Sequence, residues 1–469
     1  MRNDDLNPVG PALQPPPSLW LTSVAVPIRA KGATPPACRR AAALHSEPGF
    51  ALVITLSLLA LLVLAVLALS ALTKVNSQVA VIATQQTRAR QNALLGLDVA
   101  LGELQQYAGP DDRITAMAGV TGIAALSSNT TRHWCGVWSG TGNFMTWLAS
   151  GAVVAMPAAV QGGLSRVVLV DAGSVGAPAV NSEHVEAGKI AISVVDPFSG
   201  ANLTEGAYAY WVGDEGVKLS AYSPPTELAG VTLLLGSNPS SAATAKLRVA
   251  LTAYAARLPR IIAYEQLSLL PTPAAALTPS VLQDSFHHTT LTALRLVPSG
   301  PGVLRRSGMF NLNTNSAVAW RGLLETYNTT GAGPALSTGS MGTSAVTSLP
   351  ARIANNLAAA GEAGKAVNGP FTSVAAFAGS ALLANALTAS GSGVTPTELM
   401  AGLTPLLTTR SDTFRVRAYG EAVNPVDQTT VQATAWCEAI VQRIPDPAPN
   451  GLGRRFVVIH FRWLGPEDV

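Results

Sequence analysis

Apolar residues are spread unevenly along this chain. From Phe50 to Leu72 the sequence reads FALVITLSLLALLVLAVLALSAL, with no charge, no Pro and no Gly, and with only Thr55, Ser57 and Ser70 polar. As a helix at about 1.5 Å per residue the run spans roughly 35 Å, more than the ~30 Å of a hydrocarbon core. Leu and Ala dominate, so helix propensity agrees with the hydropathy. Core helices rarely stay apolar on every face for so many turns, so the run predicts a transmembrane helix. From Lys74 the pattern becomes amphipathic. Val75, Val79, Ile82, Ala89, Ala93, Leu97, Ala100, Leu104 and Tyr107 recur every three or four residues, with Gln and Arg on the other faces. That is the period of a helix laid on a core. Gly109-Pro110 stops it. One helix over 50–108 is predicted, with 50–72 in the membrane; Gly96 and Gly102 weaken its second half or allow close packing there.

Later segments alternate with a period of two. Lys189–Val195 and Ala207–Val212 read as strands. Phe414, Val416 and Ala418 alternate with Arg415 and Arg417, as in a half-buried strand. After the turn Asn424-Pro425-Val426-Asp427, Ala433, Ala435, Cys437, Ala439 and Val441 alternate with more polar neighbours, and Arg454–Leu464 supplies a third strand. The predicted fold class is α+β: a long N-terminal transmembrane and amphipathic helix packed on an antiparallel sheet. The Ala-rich block 231–410 reads as an inserted, mainly helical subdomain. Ser316 is placed to cap a helix there, and the Gly/Ser/Thr-rich stretch 329–348 reads as a mobile surface loop. The predicted organisation is a Pro-rich disordered leader (1–49), the helix (50–108), a first α+β part (109–230), the inserted block (231–410) and a C-terminal meander (411–469).

Composition narrows the function. Of 469 residues, 48% are hydrophobic and 12% charged, with a net charge of +3. The near balance of charge excludes a polybasic nucleic-acid binder, and the apolar content excludes disorder throughout. Catalytic signatures are absent: there is no G-x-S-x-G, no Walker A, no H-E-x-x-H and no G-x-G-x-x-G after a strand. No enzyme, cofactor or metal site is expected. His287-His288 reads as a solvated loop, because adjacent side chains diverge and no ligand cluster lies at a suitable spacing. Asp214-Glu215, between Gly213 and Gly216, reads as a turn in preference to a cation site or a hydrolytic pair. Trp134, Trp138 and Trp147 read as core rather than as a recognition patch.

Gly49 followed by Phe50-Ala51-Leu52-Val53-Ile54 and the apolar helix resembles the class III signal of type IV pilins and pseudopilins. The resemblance implies cleavage after Gly49 by a prepilin peptidase, N-methylation of Phe50, and retention of the helix as the shared core of a filament. Ile54, Leu58, Leu62, Ala65 and Leu69 are then its assembly face. Most members carry Glu where this chain has Ile54, to pair with a neighbour's N-terminal ammonium. Its replacement resembles the PilX-like minor pilins and the large minor pseudopilin at the tip of type II secretion systems. ALLGLDVALGELQQYAG (93–109), AYAYWVGDEGVK (207–218), GMFNLNTNSAVAWRGLL (308–324), GPFTSVAAF (369–377), SDTFRVRAYGEAVNPVDQTTVQATAWCEAIVQR (411–443) and RRFVVIHFRWLGPE (454–467) are similar to the pilin-like protein of the Verru_Chthon cassette.

The implied fold is pilin-like. The implied partners are other pilin-like subunits, the prepilin peptidase, an inner-membrane assembly platform and the lipid bilayer, with no nucleic acid. The implied location is single-pass in the inner membrane with a periplasmic globular part, then a filament at the cell surface, with adhesion, motility, DNA uptake and secretion all open as its job. Cys38 falls in the leader. With the globular part outside the cytoplasm, Cys135–Cys437 is a candidate disulfide, against two buried free thiols. An uncleaved single-pass anchor presenting an adhesin-like surface-binding domain is the alternative function; a membrane-anchored hydrolase is a third.

Overall fold

A computed structural model describes residues 48–123, 130–153, 163–176, 183–220, 283, 286–290, 295–298, 304–307, 309–341, 346–358 and 362–469. The predicted leader up to residue 47, and all of 221–282, lie outside the described residues. The fold is mixed α+β, with a long N-terminal helix and antiparallel sheets. The chain divides into two compact units, one ending at Leu72 and one covering Thr73–Val469.

Helix α1 runs from Pro48 to Ala108 without a break. Pro48 is tolerated because the first turn has no use for its missing N–H. The second unit is centred on a five-stranded antiparallel sheet: β1 (Ile190–Val195), β2 (Asn202–Asp214), β3 (Thr413–Val423), β4 (Val431–Pro447) and β5 (Arg454–Leu464), in the order β5-β4-β3-β2-β1. β3, β4 and β5 form the expected meander. β3 also pairs with β2, about two hundred residues upstream, with Phe414 opposite Asp214 and Ala422 opposite Gly206.

The C-terminal half of α1 shares a core with one face of this sheet. Ala89, Ala93, Leu97, Ala100, Leu104 and Ala108 pack with Tyr210, Val212, Phe414, Val416, Ala418, Cys437, Ala439 and Val441. Burial begins at Gln85; Val75, Val79 and Ile82, predicted to face a core, are exposed because the sheet does not extend beneath them. Small residues let backbone approach backbone. A Cβ on Gly420 would stand 2.2 Å from Ala89 O and Ala93 N, and one on Gly206 would stand 2.0 Å from Glu421 O. Gly96 is similarly close, with Ala209 O at 3.2 Å, whereas Gly102 faces open space. Side chains then fasten helix to strands. Asn92 Nδ2 donates to Glu421 O at 2.8 Å, and Gln105 Nε2 donates to Arg454 O at 2.8 Å while its Oε1 accepts from Phe456 N at 3.0 Å.

The opposite face of the sheet is also covered, which corrects the expectation of a half-buried strand: Arg415 and Arg417 are only 3% and 2% exposed. The second core reaches from Trp211 and Tyr419 to Trp134, Trp138 and Trp147 around the small sheet of Ile114–Met117, Cys135–Trp138 and Phe144–Trp147. All three tryptophans are core, as expected. Helices α2 (Ala317–Thr330), α3 (Leu349–Leu357), α4 (Val374–Ala378), α5 (Ala381–Ala389) and α6 (Pro396–Leu403) contribute to the same core rather than to a separate one. Ser316 caps α2 by accepting from Ala319 N at 3.1 Å. The asparagine run ahead of it is buried: Asn313 exchanges hydrogen bonds with the Phe371 main chain through Nδ2 (3.2 Å) and Oδ1 (2.9 Å). In the stretch read as a loop over 329–348, Leu336, Ser340 and Met341 are buried and Ser337 bonds the Gly391 and Ser392 carbonyls, while Gly331–Pro334 and Val346 are exposed.

Candidate functional site

The apolar helix is the feature that packing inside the chain leaves unexplained. None of its most apolar stretch is buried. Ile54, Leu58, Leu62 and Leu69 are 47–63% exposed, and Ala65 is exposed between them. Their spacing of four, four, three and four places them on one side of α1, but Phe50, Leu52, Leu56, Leu61 and Leu64 on other sides are equally bare. Each such side chain left in water forgoes about 1.5–3 kcal/mol of burial, and the run forgoes on the order of tens of kcal/mol. An exposed patch of this size marks a contact with lipid or with another chain. The few polar groups suit a dry environment: Thr55 Oγ1 donates to Leu52 O at 2.9 Å and Ser57 Oγ to Ile54 O at 2.8 Å. Gly49 and Phe50 sit in the first turn of α1.

In the second unit the predicted turn at Asp214-Glu215 is a buried ionic centre. Glu215 Oε1 accepts from Lys218 Nζ at 2.6 Å and Arg415 Nε at 3.0 Å; Glu438 accepts from Arg415, Arg417 and Arg462, each at 2.9 Å. Lys218, Arg415 and Arg417 also lie over the Phe286 ring. Burial opposes ionisation of Glu215, but Arg415 and Lys218 outweigh it and hold its carboxyl down at about 2; Glu438 is likewise depressed by its three arginines. Asp214 moves the other way. Burial pushes its pKa up to about 6, and its Oδ2 has no hydrogen-bond partner among the described residues. The network joins the end of β2 to β3, β4 and β5. We read it as structural, since every base in it except Asp214 is tied to a cation.

His287 is not in a solvated loop. It is 5% exposed, and its ring stacks on that of His133 with centroids 3.6 Å apart and planes 5° from parallel. His287 Nε2 contacts Glu183 O at 2.7 Å, and His133 Nε2 contacts Glu183 Oε2 at 3.2 Å. His288 turns the other way, to Ser316 Oγ at 2.9 Å. Burial lowers the pKa of all three rings, that of His288 to about 4, so they are neutral at physiological pH. Burial opposes ionisation of Glu183, but its hydrogen bond with His133 and the nearby charge of Arg132 hold its carboxyl down at about 2. Sequence reasoning missed this group because its members lie at 133, 183 and 287, with no motif spacing to join them.

Cys135 and Cys437 are both buried free thiols, which replaces the candidate disulfide. Cys437 Sγ lies under α1, 3.9 Å from Ala93 O, while Cys135 Sγ is directed to Gly136 O at 3.8 Å. Arg455 is exposed at a strand end with Asp446 at 3.7 Å, while Arg454 beside it is part-buried and pairs with Asp111. Comparison with protein-family models, curated proteins and solved structures finds no match. What is established among the described residues is thus one helix long and apolar enough to cross a membrane, and an α+β unit.

Proposed function

We propose that this protein is a minor-pilin or pseudopilin-like structural subunit of a type IV pilus or type II secretion-like filament. A prepilin peptidase cuts it after Gly49, Phe50 is methylated, and the Phe50–Leu72 helix joins equivalent helices of other pilin-like subunits. The observation that carries the reading is the fully exposed apolar stretch of α1, which begins directly after Gly49. Before assembly the helix rests in the inner-membrane bilayer beside the assembly platform, with the globular part periplasmic; afterwards the protein belongs to a filament at the cell surface. Ile54 favours a tip position, since a subunit that enters first meets no earlier ammonium to pair with. The reading includes no catalysis, cofactor or nucleic acid.

The test is the N-terminus of membrane-extracted protein, determined by mass spectrometry. Methyl-Phe50 is expected, and Gly49→Leu is expected to accumulate uncut precursor. An intact leader on correctly localised protein overturns the proposal in favour of an uncleaved anchor presenting a surface-binding domain.

A further inference from the structure

We infer that His133, Glu183 and His287 form a binding site for one divalent first-row transition ion of the zinc class. Three separate segments supply the ligands: His133 precedes the strand Cys135–Trp138, Glu183 precedes the strand Val185–Gly188, and His287 precedes the short strand Thr289–Thr290. One ligand atom from each lies within 4.8 Å of the others. Two imidazoles and a carboxylate are the donor set such ions take, with a fourth position left to water.

The geometry agrees at the His133–Glu183 edge. Two ligands bound at ~2.0–2.1 Å with tetrahedral angles stand about 3.3 Å apart, and His133 Nε2 and Glu183 Oε2 are separated by 3.2 Å. His133 Nδ1, the other nitrogen of the ring, has no hydrogen-bond partner among the described residues, which leaves it free to carry the ring's proton when Nε2 takes the ion. Glu183 keeps 28% of its side chain exposed, which gives an ion and its water a way in.

Two adjustments accompany binding. Parallel rings 3.6 Å apart do not bracket an ion, so the His287 ring tilts off the Glu183 carbonyl to turn Nε2 inward. Arg132, whose Nη1 is 3.5 Å from Glu183 Oε1 and whose side chain is part-exposed, swings to solvent. The Nε2 proton that His133 shares with Glu183 moves, by exchange with water, to the unpartnered Nδ1, so the ring stays neutral as the ion takes its place. The ion then ties together three segments far apart in the chain, which makes it a staple of the second unit.

Full-length protein in detergent, stripped with a chelator and dialysed, is titrated with Zn²⁺ by calorimetry and with Co²⁺ by visible absorption. We expect one equivalent bound and the intense d–d bands of four-coordinate Co²⁺. Loss of a supporting outer-shell group weakens metal sites 10–100-fold, so His133→Ala and Glu183→Gln, each removing a ligand, are expected to weaken binding by about 100-fold or more. Glu183→Gln, at a part-exposed position, serves if His133→Ala fails to fold. Wild-type protein that retains no stoichiometric Zn²⁺ overturns the inference, as does wild-type affinity in folded Glu183→Gln.

Discussion

The seat of α1 on the sheet depends on a glycine, and Gly420→Ala tests it. A methyl group at this position would meet Ala89 O and Ala93 N, both at 2.2 Å, and Asn92 C at 2.7 Å. Non-bonded heavy atoms prefer about 3.5 Å or more, so helix and strand must part by roughly 1 Å. The obstructing atoms are main chain, and no rotamer change relieves them. Overpacking of this kind costs about 1–3 kcal/mol. A gap of ~1 Å also removes a quarter to a half of the attraction between facing atoms, and it stretches the 2.8 Å bond from Asn92 to Glu421. The expected loss is therefore about 3 kcal/mol, at the upper end of the range. Gly102→Ala on the same helix is the control. It has nothing within 4 Å of the added methyl, and Ala is preferred to Gly in a helix by about 0.5–1 kcal/mol. Urea unfolding in micelles, followed by the fluorescence of the buried tryptophans, measures both. If Gly420→Ala lies within about 0.5 kcal/mol of wild type, or if the two variants lose stability equally, the close helix–strand crossing is refuted.

Two further expectations concern charge. Glu438→Ala leaves Arg415, Arg417 and Arg462 without their shared carboxylate and should cost about 3–5 kcal/mol. Because Glu215 and Glu438 are depressed in the folded protein, their contribution is complete above their unfolded pKa near 4.5 and is lost as pH falls from there toward 2. Thermal unfolding should drop across that window, and equal midpoints at pH 3 and pH 7 would contradict the ionic centre. Separately, Leu62→Arg places a charge in the middle of the apolar run at a penalty of about 3 kcal/mol for insertion. The variant should appear in the carbonate-soluble fraction, and unchanged membrane retention would count against a spanning helix.

Different parts of this protein were legible in the sequence to different degrees. α1 was visible to within two residues at its start, where the apolar run opens at Phe50, and at its end, where Gly109-Pro110 stops a stretch with no internal Pro. The β3–β4–β5 meander was visible because its turns are local and its strands alternate. The β3–β2 pairing was not, since strands two hundred residues apart carry no local mark of partnership. Burial of Arg415 and Arg417 was misread for a related reason. An Arg/apolar alternation means one wet face only if no carboxylate from another strand meets the arginines, and Glu215 and Glu438 do. The same holds for His287, whose neighbours His133 and Glu183 arrive from distant segments.

Local chemistry alone therefore determined that an apolar helical run follows Gly49, that it is too greasy to remain in water, and that antiparallel strands follow. Hydropathy, helix propensity and turn signals act over a few residues and can be read from the chain directly. Tertiary structure decided where that helix comes to rest, which charges leave water together, that Cys135 and Cys437 stay apart as free thiols, and that two histidines and a glutamate share one pocket of space. Those outcomes depend on through-space distances of 2–5 Å between residues far apart along the chain, and no periodicity encodes such distances.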